Sequence, residues 1–476
     1  MTGLDSRKRW LILYILCAGV LMIVLDGTIV NVALPSIKAD LGFSNTGLVW
    51  VVNGYLLTFG GFLLLGGRLG DFYGHRLLFL AGLAVFTVAS LACGLATSQW
   101  MLVAARAVQG IGGAVVDAVA LSLIMTLFPE AGERAKAMGF YGFVCASGGS
   151  IGAVAGGLIT GSFSWHWNFL VNVPIGAAVF ALCWWLVPKA ERAALVGRFD
   201  VAGAITITAA LMLAVYAIVG GNEAGWLSVT TLGFLAAAVA LLALFLLVEA
   251  RTENPIMPLR MFKLVSISAS NVVAVLWAAA MFAWFFISAL YMQLVLHYTP
   301  TEIGFAFVPS NVIMAILSLG ISAKLVTRFG VRPPLVTGLA AASLGLFLFA
   351  FAPVDGSYWL HILPGMALSG IGAGIAFNPL LIVAMRDAGP DEQGVASGMV
   401  NTAFMMGGAL GLAILASFAA SRTASLTGAG AELPAALTGG YSLAFILGGV
   451  FAGLAALLSW IFLEVKPGAT LSPSPH

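Results

Sequence analysis

Three ionisable residues stand deep in apolar stretches: Asp26 in LMIVLDGTIVNVALP (21–35), and Arg106 and Asp117 in the segment 100–124. A charge at such depth in a membrane costs at least about 2.5–3.5 kcal/mol, so each should face a bundle interior or a wet cavity. The chemistry open to a buried acid beside a fixed cation is proton exchange. Burial raises a carboxylate's pKa while an adjacent arginine lowers it, and a change of surroundings can decide which effect wins. Asp26, Arg106 and Asp117 are therefore the proton-coupling candidates. Two plainer readings stand beside this one: a static Asp26–Arg106 pair that ties two helices, or an Asp26 that accepts hydrogen bonds from backbone, Thr28 or Asn31.

Arg106 and Asp117 are eleven residues apart, close to three helical turns, so they share a helix face roughly 16 Å apart along the axis. Asp26 and Arg106 fall at similar depth in the outer half of their spans, and Asp117 in the inner half.

The elements that must position these groups are membrane helices. The chain has 476 residues, 61% hydrophobic and 8% charged, where soluble domains run near 25% charged. Stretches of roughly 20 apolar residues fall near 10–36, 47–69, 77–97, 100–124, 135–160, 166–187, 201–220, 227–248, 268–293, 303–325, 334–352, 359–385, 394–420 and 440–463. The expected fold is an all-α polytopic membrane protein with 14 transmembrane helices. The cationic start MTGLDSRKRW reads as the flank of an uncleaved first helix rather than a signal peptide, because the following apolar run is too long and has no properly placed cleavage site. With the N-terminus cytoplasmic, eighteen Lys and Arg lie on the inner side and two, Lys38 and Arg422, on the outer. This bias places both termini inside a cell membrane.

The chain also repeats itself. GRLGDFYGHR from Gly67 matches AKLVTRFGVR from Ala323 at an offset of 256 residues. At 259, Glu133, Ala137, Gly139, Gly148, Gly149 and Gly152 superpose on Glu392, Ala396, Gly398, Gly407, Gly408 and Gly411. At 260, Gly110-Ile111-Gly112 lies on Gly370-Ile371-Gly372. The reading is two six-helix bundles, 1–188 and 267–463, separated by a linker 189–266 that carries an inserted two-helix hairpin (201–220, 227–248), with a short cytoplasmic tail at 464–476. Parallel repeats of this kind are a transporter architecture, with the substrate between the halves near the midplane.

Ion chemistry is confined to the first half: Arg106 maps to Met366, Asp117 to Phe377, and the ninth span has no acid. That span instead offers Trp277, Phe282, Trp284, Phe285, Phe286, Tyr291 and Gln293. Aromatic faces can hold a hydrophobic cation, though packing or lipid contact is the commoner use. The substrate-cavity candidates are Asn31, Trp277, Trp284, Tyr291, Gln293, Asn378 and Asn401.

Other function classes find little support. Cys17, Cys93, Cys145 and Cys183 are scattered singly through apolar stretches and read as packing residues. The five histidines lie in separate loops or at the terminus, so an intramembrane enzyme lacks its cluster. No G-x-x-x-x-G-K-[ST] motif occurs to bind ATP. A non-transporting scaffold or sensor would bring a soluble domain, for which almost no chain remains.

Several segments together resemble the major facilitator superfamily, specifically its fourteen-helix drug:proton antiporter branch. LDGTIVNVALP (25–35) is similar to the branch's first-helix motif, GRLGDFYGHR (67–76) to the superfamily's loop motif, and RAVQGIGGA (106–114) to the helix 4 motif that starts with Arg. WHWNFLVNVPIG (165–176), YMQ (291–293) and GVASGMVNT (394–402) also match its habits. The resemblance implies proton or cation handling at Asp26 with Arg106 coupled to it. It also implies a cytoplasmic latch at Gly67, Asp71, Gly74 and Arg76. GGSIGAVAGG (148–157) resembles the antiporter motif of helix 5, keeping the close-packing glycines Gly148, Gly152, Gly156 and Gly157 but with Ala153 in place of its proline. Phe72 stands where the loop motif often has a basic residue, and apolar Phe404 and Met405 where relatives often carry polar ones. Asp117 occupies a position usually small or apolar, which suits a private contact to a cationic cargo.

The function expected is secondary active export of hydrophobic, cationic small molecules or drugs in exchange for protons, by alternating access. The alternative on the same fold is export of a lipid or lipid-linked metabolite. The proton gradient would be the driving force, with no cofactor and no metal. The partners would be a lipophilic small-molecule substrate, protons and the lipid bilayer, with no nucleic acid and no obligate protein partner.

Overall fold

The computed structural model describes residues 5–44, 46–128, 130–188, 200–252, 255, 257–388 and 393–463. Of the segments named above, 189–199 and the tail 464–476 lie outside the described residues. Every regular element among the described residues is helical. In chain order they are α1 (Ser6–Leu41), α2 (Val49–Tyr73), α3 (His75–Gly94), α4 (Gln99–Leu127), α5 (Ala131–Ser162), α6 (Trp167–Leu170), α7 (Asn172–Leu186), α8 (Val201–Ala224) and α9 (Val229–Arg251). There follow α10 (Val265–Leu294), α11 (Pro300–Ile316), α12 (Ser322–Phe329), α13 (Arg332–Ala350), α14 (Leu363–Arg386), α15 (Gln393–Gly428) and α16 (Leu433–Phe462).

Twelve of these helical stretches are long and apolar enough to cross a membrane. The chain is a multi-pass membrane protein. The spans expected at 135–160 and 303–325 fall on α5 and on α11 with α12. Pro309 lies inside α11, and a π-helical turn at Leu317–Ile321 joins α11 to α12. The span expected at 166–187 is one of the twelve, Trp167–Leu186, and comprises α6 and α7 with Val171 between them.

Local signals start several helices. The Ser98 hydroxyl accepts from the Met101 amide ahead of α4, and Thr299 with Glu302 forms a reciprocal capping box ahead of α11. Gly74 separates α2 from α3 at φ +92°, a conformation with little penalty only for glycine.

The first half packs α1 on α5 and α7, and α4 on α2 and α3. The ends of α1 are tied on both sides. Arg9 pairs with Glu133 of α5 at 2.8 Å, and Trp165 Nε1 donates to Asp40 at 2.9 Å. Later in the chain α10 packs on α15 and α16, and α13 on α14 and α16. Glycine sets the spacing inside both halves. A Cβ on Gly112 would lie 2.8 Å from the Gly82 carbonyl oxygen, and one on Gly372 would lie 2.7 Å from that of Gly338.

Two seams join the halves. In one, α2 packs on α15, where Asn53 Nδ2 donates to the Ala409 carbonyl at 2.8 Å and Met405 sits against Gly60. In the other, α5 packs on α11, where a Cβ on Gly157 would be 2.6 Å from the Pro300 carbonyl oxygen.

The helix α8 packs on α9 and lies across the α2–α15 seam. Thr208 fills the space beside Gly61, and Tyr216 meets Trp50, both of α2. On the α15 side, Asn222 Nδ2 donates to the Ser417 carbonyl at 2.8 Å and to its hydroxyl at 2.9 Å. Asn222→Ala removes both bonds and is expected to cost about 1–3 kcal/mol, read as a lower thermal unfolding midpoint in detergent.

Candidate functional site

Asp26 and Arg106 meet in the interior of the first half, each only 1% exposed. Arg106 Nη1 lies 2.5 Å from Asp26 Oδ2. Five helices build the surroundings. Asp26 comes from α1, and Arg106 from α4 with Gln109 one turn further on. Asn172 opens α7, Ser90 comes from α3, and Val51 and Tyr55 come from α2.

The carboxylate is saturated with donors. Asp26 Oδ1 accepts from Gln109 Nε2 at 2.8 Å and from Asn172 Nδ2 at 2.9 Å. Gln109 Nε2 also donates to Ser90 Oγ at 2.8 Å, and its Oε1 accepts from Arg106 Nη1 at 2.6 Å. Arg106 Nε donates to the Val51 carbonyl at 3.0 Å, and its guanidinium lies 4.4 Å from the Tyr55 ring centroid. A charge pair out of water is tolerated only when its remaining hydrogen-bonding positions are filled, and here the two amides fill them.

One of the alternative readings falls away. Neither Thr28 nor Asn31 serves Asp26: the Thr28 hydroxyl donates to the Val24 and Leu25 carbonyls, and Asn31 to the Gly27 carbonyl. Both turn back on their own helix, the usual alternative for a short polar side chain.

Asp117 is separate from this network. It is half-buried and accepts from the Tyr141 hydroxyl of α5 at 3.1 Å. Of the latch candidates, Gly67 lies beside Ala118, and the Asp71 side chain lies outside the described residues. Arg76 turns to α7 of its own half, donating to the Trp184 carbonyl and stacking on that ring at 5.4 Å. The glycines of α5 serve two partners. Gly148, Gly152 and Gly156 pack on Val24, Thr28 and Ile29 of α1, while Gly157 packs on α11 across the seam.

The substrate-cavity candidates do not converge as a set. Tyr291 donates to the Pro353 carbonyl at 2.6 Å, and Asn378 to the Ser318 carbonyl at 3.3 Å. Asn401 is half-buried on α15, and Gln293 Oε1 is buried without a partner. Trp277 and Trp284 do come together on one cavity inside the second half. Phe404 joins Trp277, Phe282 and Phe377 in an aromatic cluster, so its apolar character serves packing.

Sequence reasoning missed Gln109, Asn172, Ser90 and Tyr55. Two were in view: Gln109 is the fourth residue of RAVQGIGGA, and Asn172 stands in WHWNFLVNVPIG.

The chain's relatives agree with this architecture. Residues 16–412 match the family described as Major Facilitator Superfamily. The puromycin resistance protein pur8 of Streptomyces alboniger is 37% identical over 475 residues, 98% of this chain and 93% of the relative. The cephamycin export protein CmcT of Amycolatopsis lactamdurans is 38% identical, with 97% and 93% covered. Among solved structures, an auto-inhibited peptide transporter of the POT family superposes with a TM-score of 0.68 at 15% identity, covering 98% of this chain and 99% of its own. A D-xylose–proton symporter superposes with a TM-score of 0.66 at 14% identity, covering 95% and 97%. At such low identity these structures speak for the fold alone. The chain belongs to the major facilitator superfamily, a family of transporters and not of enzymes.

Proposed function

We propose that the protein is a secondary active exporter that moves hydrophobic, cationic small molecules out of the cell in exchange for inward-moving protons. The observation that carries the reading is the sealed Asp26–Arg106 pair, with Gln109 and Asn172 as its hydrogen-bonding supports. The resistance and export proteins among its relatives support drug efflux as the class of function.

In this reading fourteen helices cross the plasma membrane, the twelve long apolar ones together with α5 and the α11–α12 rod. The bundles 1–188 and 267–463 form the two halves, α8 and α9 are the inserted pair, and both termini are cytoplasmic. The α2–α15 and α5–α11 seams open and close in alternation. Protonating Asp26 would cancel the ion pair and leave Arg106 charged in a dry interior, so the network must rearrange to let Arg106 find another partner. That rearrangement links proton uptake to movement of the halves. The proton gradient supplies the energy and no cofactor takes part.

The test uses purified protein in acid-loaded vesicles with the cytoplasmic face outward. Adding puromycin or tetraphenylphosphonium should raise the internal pH, as protons leave in exchange for cargo. No rise with either compound, from correctly folded protein, would remove the antiporter reading and favour a lipid cargo.

A further inference from the structure

An arginine stacked on an exposed tryptophan occurs at the same place in both halves. In the first, Arg76 is the second residue of α3, and its guanidinium lies 5.4 Å from the ring centroid of Trp184, two residues before the end of α7. In the second, Arg332 is the first residue of α13, and its guanidinium lies 4.1 Å from the ring centroid of Trp460, two residues before the end of α16. Arg76 and Arg332 are the arginines that coincide in the loop repeat at an offset of 256. Each pair joins packed neighbours, α3 with α7 and α13 with α16. Trp184 and Trp460 are 54% and 55% exposed, and Trp185, Ile461 and Phe462 beside them are exposed as well.

In a multi-pass chain the exposed apolar surface near a helix end meets lipid, and tryptophan there sits at headgroup level. A guanidinium held against such a ring stands at the depth of the lipid phosphates, and its planar fork suits a phosphate through two hydrogen bonds. The second pair has further cations beside it. Only Gly330 and Val331 separate α12 from α13, and Lys324 and Arg328 of α12 are both exposed. Arg328 lies 5.2 Å from the ring centroid of Phe329, itself exposed. No acid stands between Glu302 and Asp355 in the sequence, whereas Asp71 precedes the first pair by five residues. Glu464 and Lys466, which follow α16, lie outside the described residues. On α16 itself Val450, Leu454, Leu457 and Ile461 recur at helical spacing and are all exposed, an apolar track that ends beside Trp460.

We propose that the corner of α12, α13 and α16 is a binding site for an anionic phospholipid. Its phosphate accepts from Arg332 over Trp460, Lys324 and Arg328 add positive charge, and an acyl chain lies along the exposed track of α16. A zwitterionic headgroup brings a cation of its own and is disfavoured by three neighbours of that sign. The choice of leaflet alone rests on the orientation in the exporter reading, in which this corner is cytoplasmic and faces the anionic side of the bilayer.

The test is lipid retention by the purified full chain in detergent, offered equal amounts of phosphatidylglycerol and phosphatidylcholine and weighed by native mass spectrometry. The parent is expected to retain phosphatidylglycerol roughly tenfold over phosphatidylcholine. Arg332→Gln and Trp460→Leu should each cut that preference about three- to tenfold. The double variant Lys324→Gln/Arg328→Gln changes only exposed side chains, should unfold at the parent's temperature, and should cut the preference about threefold or more. Excess inorganic phosphate should displace no lipid; if it does, the site takes a free anion and the lipid proposal falls. Equal retention of the two lipids, or a preference that survives both Arg332→Gln and the double variant, would also overturn it. In that case a lower unfolding midpoint in Arg332→Gln would mark the pair as a tie between α13 and α16 only. Retention is read without transport, so a selective parent that gives no pH response in vesicles would remove the exporter reading and keep the lipid site.

Discussion

Arg106→Ala is expected to destabilise the protein by about 3–5 kcal/mol, because it leaves the Asp26 carboxylate buried without its counter-charge. The same substitution strips the Val51 carbonyl and Gln109 Oε1 of a donor. Asp26→Asn should cost a comparable amount for the opposite reason, stranding the guanidinium. The double variant Asp26→Asn/Arg106→Gln removes both charges and keeps hydrogen-bonding groups at both positions, so most of the lost stability should return. Thermal unfolding of the four proteins in one detergent measures this. Transport should behave differently: the double variant has no titratable group at the site, so its substrate-evoked proton flux should vanish although the fold has recovered. That contrast separates a pair that merely ties helices from one that carries a proton. If stability and proton flux recover together, the coupling group lies elsewhere, and Asp117 with Tyr141 is the next to change.

Adding one methyl group at Gly112 or Gly372 should cost about 1–3 kcal/mol each, the usual range for overpacking a tight core. A Cβ on Gly112 would stand 2.6 Å from the Phe86 amide nitrogen, and one on Gly372 would stand 2.6 Å from the Ala342 Cβ. The obstacles on both sides are main chain or its first carbon, which cannot turn aside as a side-chain tip can. The helices would have to separate, which loosens α3 from α4 and α13 from α14. Gly233→Ala on α9 is the matched control, since its Cβ would meet nothing within 4 Å. Alanine is the better helix former, so Gly233→Ala should hold or raise the unfolding midpoint; midpoints that fall equally in all three variants would show that the close approach does not set the loss.

Much of the scaffold was legible because its cost is written in residue type. A carboxylate or guanidinium amid apolar neighbours is expensive, so Asp26 and Arg106 announced themselves, and counting along their helices put them at one depth. Gln109 and Asn172 are neutral, cheaper to bury and common in packing roles, so nothing in their type marked them as supports of Asp26. Asn31 and Asn378 show the converse: each looked available, and each satisfies itself on a nearby carbonyl. The helices α5 and α11 were placed by the length of their apolar runs, but the π-helical turn at Leu317–Ile321 that joins α11 to α12 has no signature in residue type. The position of α8 across the α2–α15 seam was not readable, because its apolar residues suit lipid or protein equally. Its polar exceptions Thr208 and Asn222 show their use only once α2 and α15 are beside them.

Gly82 with Gly112, and Gly338 with Gly372, bring two helices together main chain against main chain. Such a joint does not depend on which side chains fill the interior beside it. After a duplication, each copy could therefore change its interior residues independently without dismantling the frame. An acid in one copy and an indole in the other are then alternative fillings of one architecture, and a division of labour between twin halves needs no new fold.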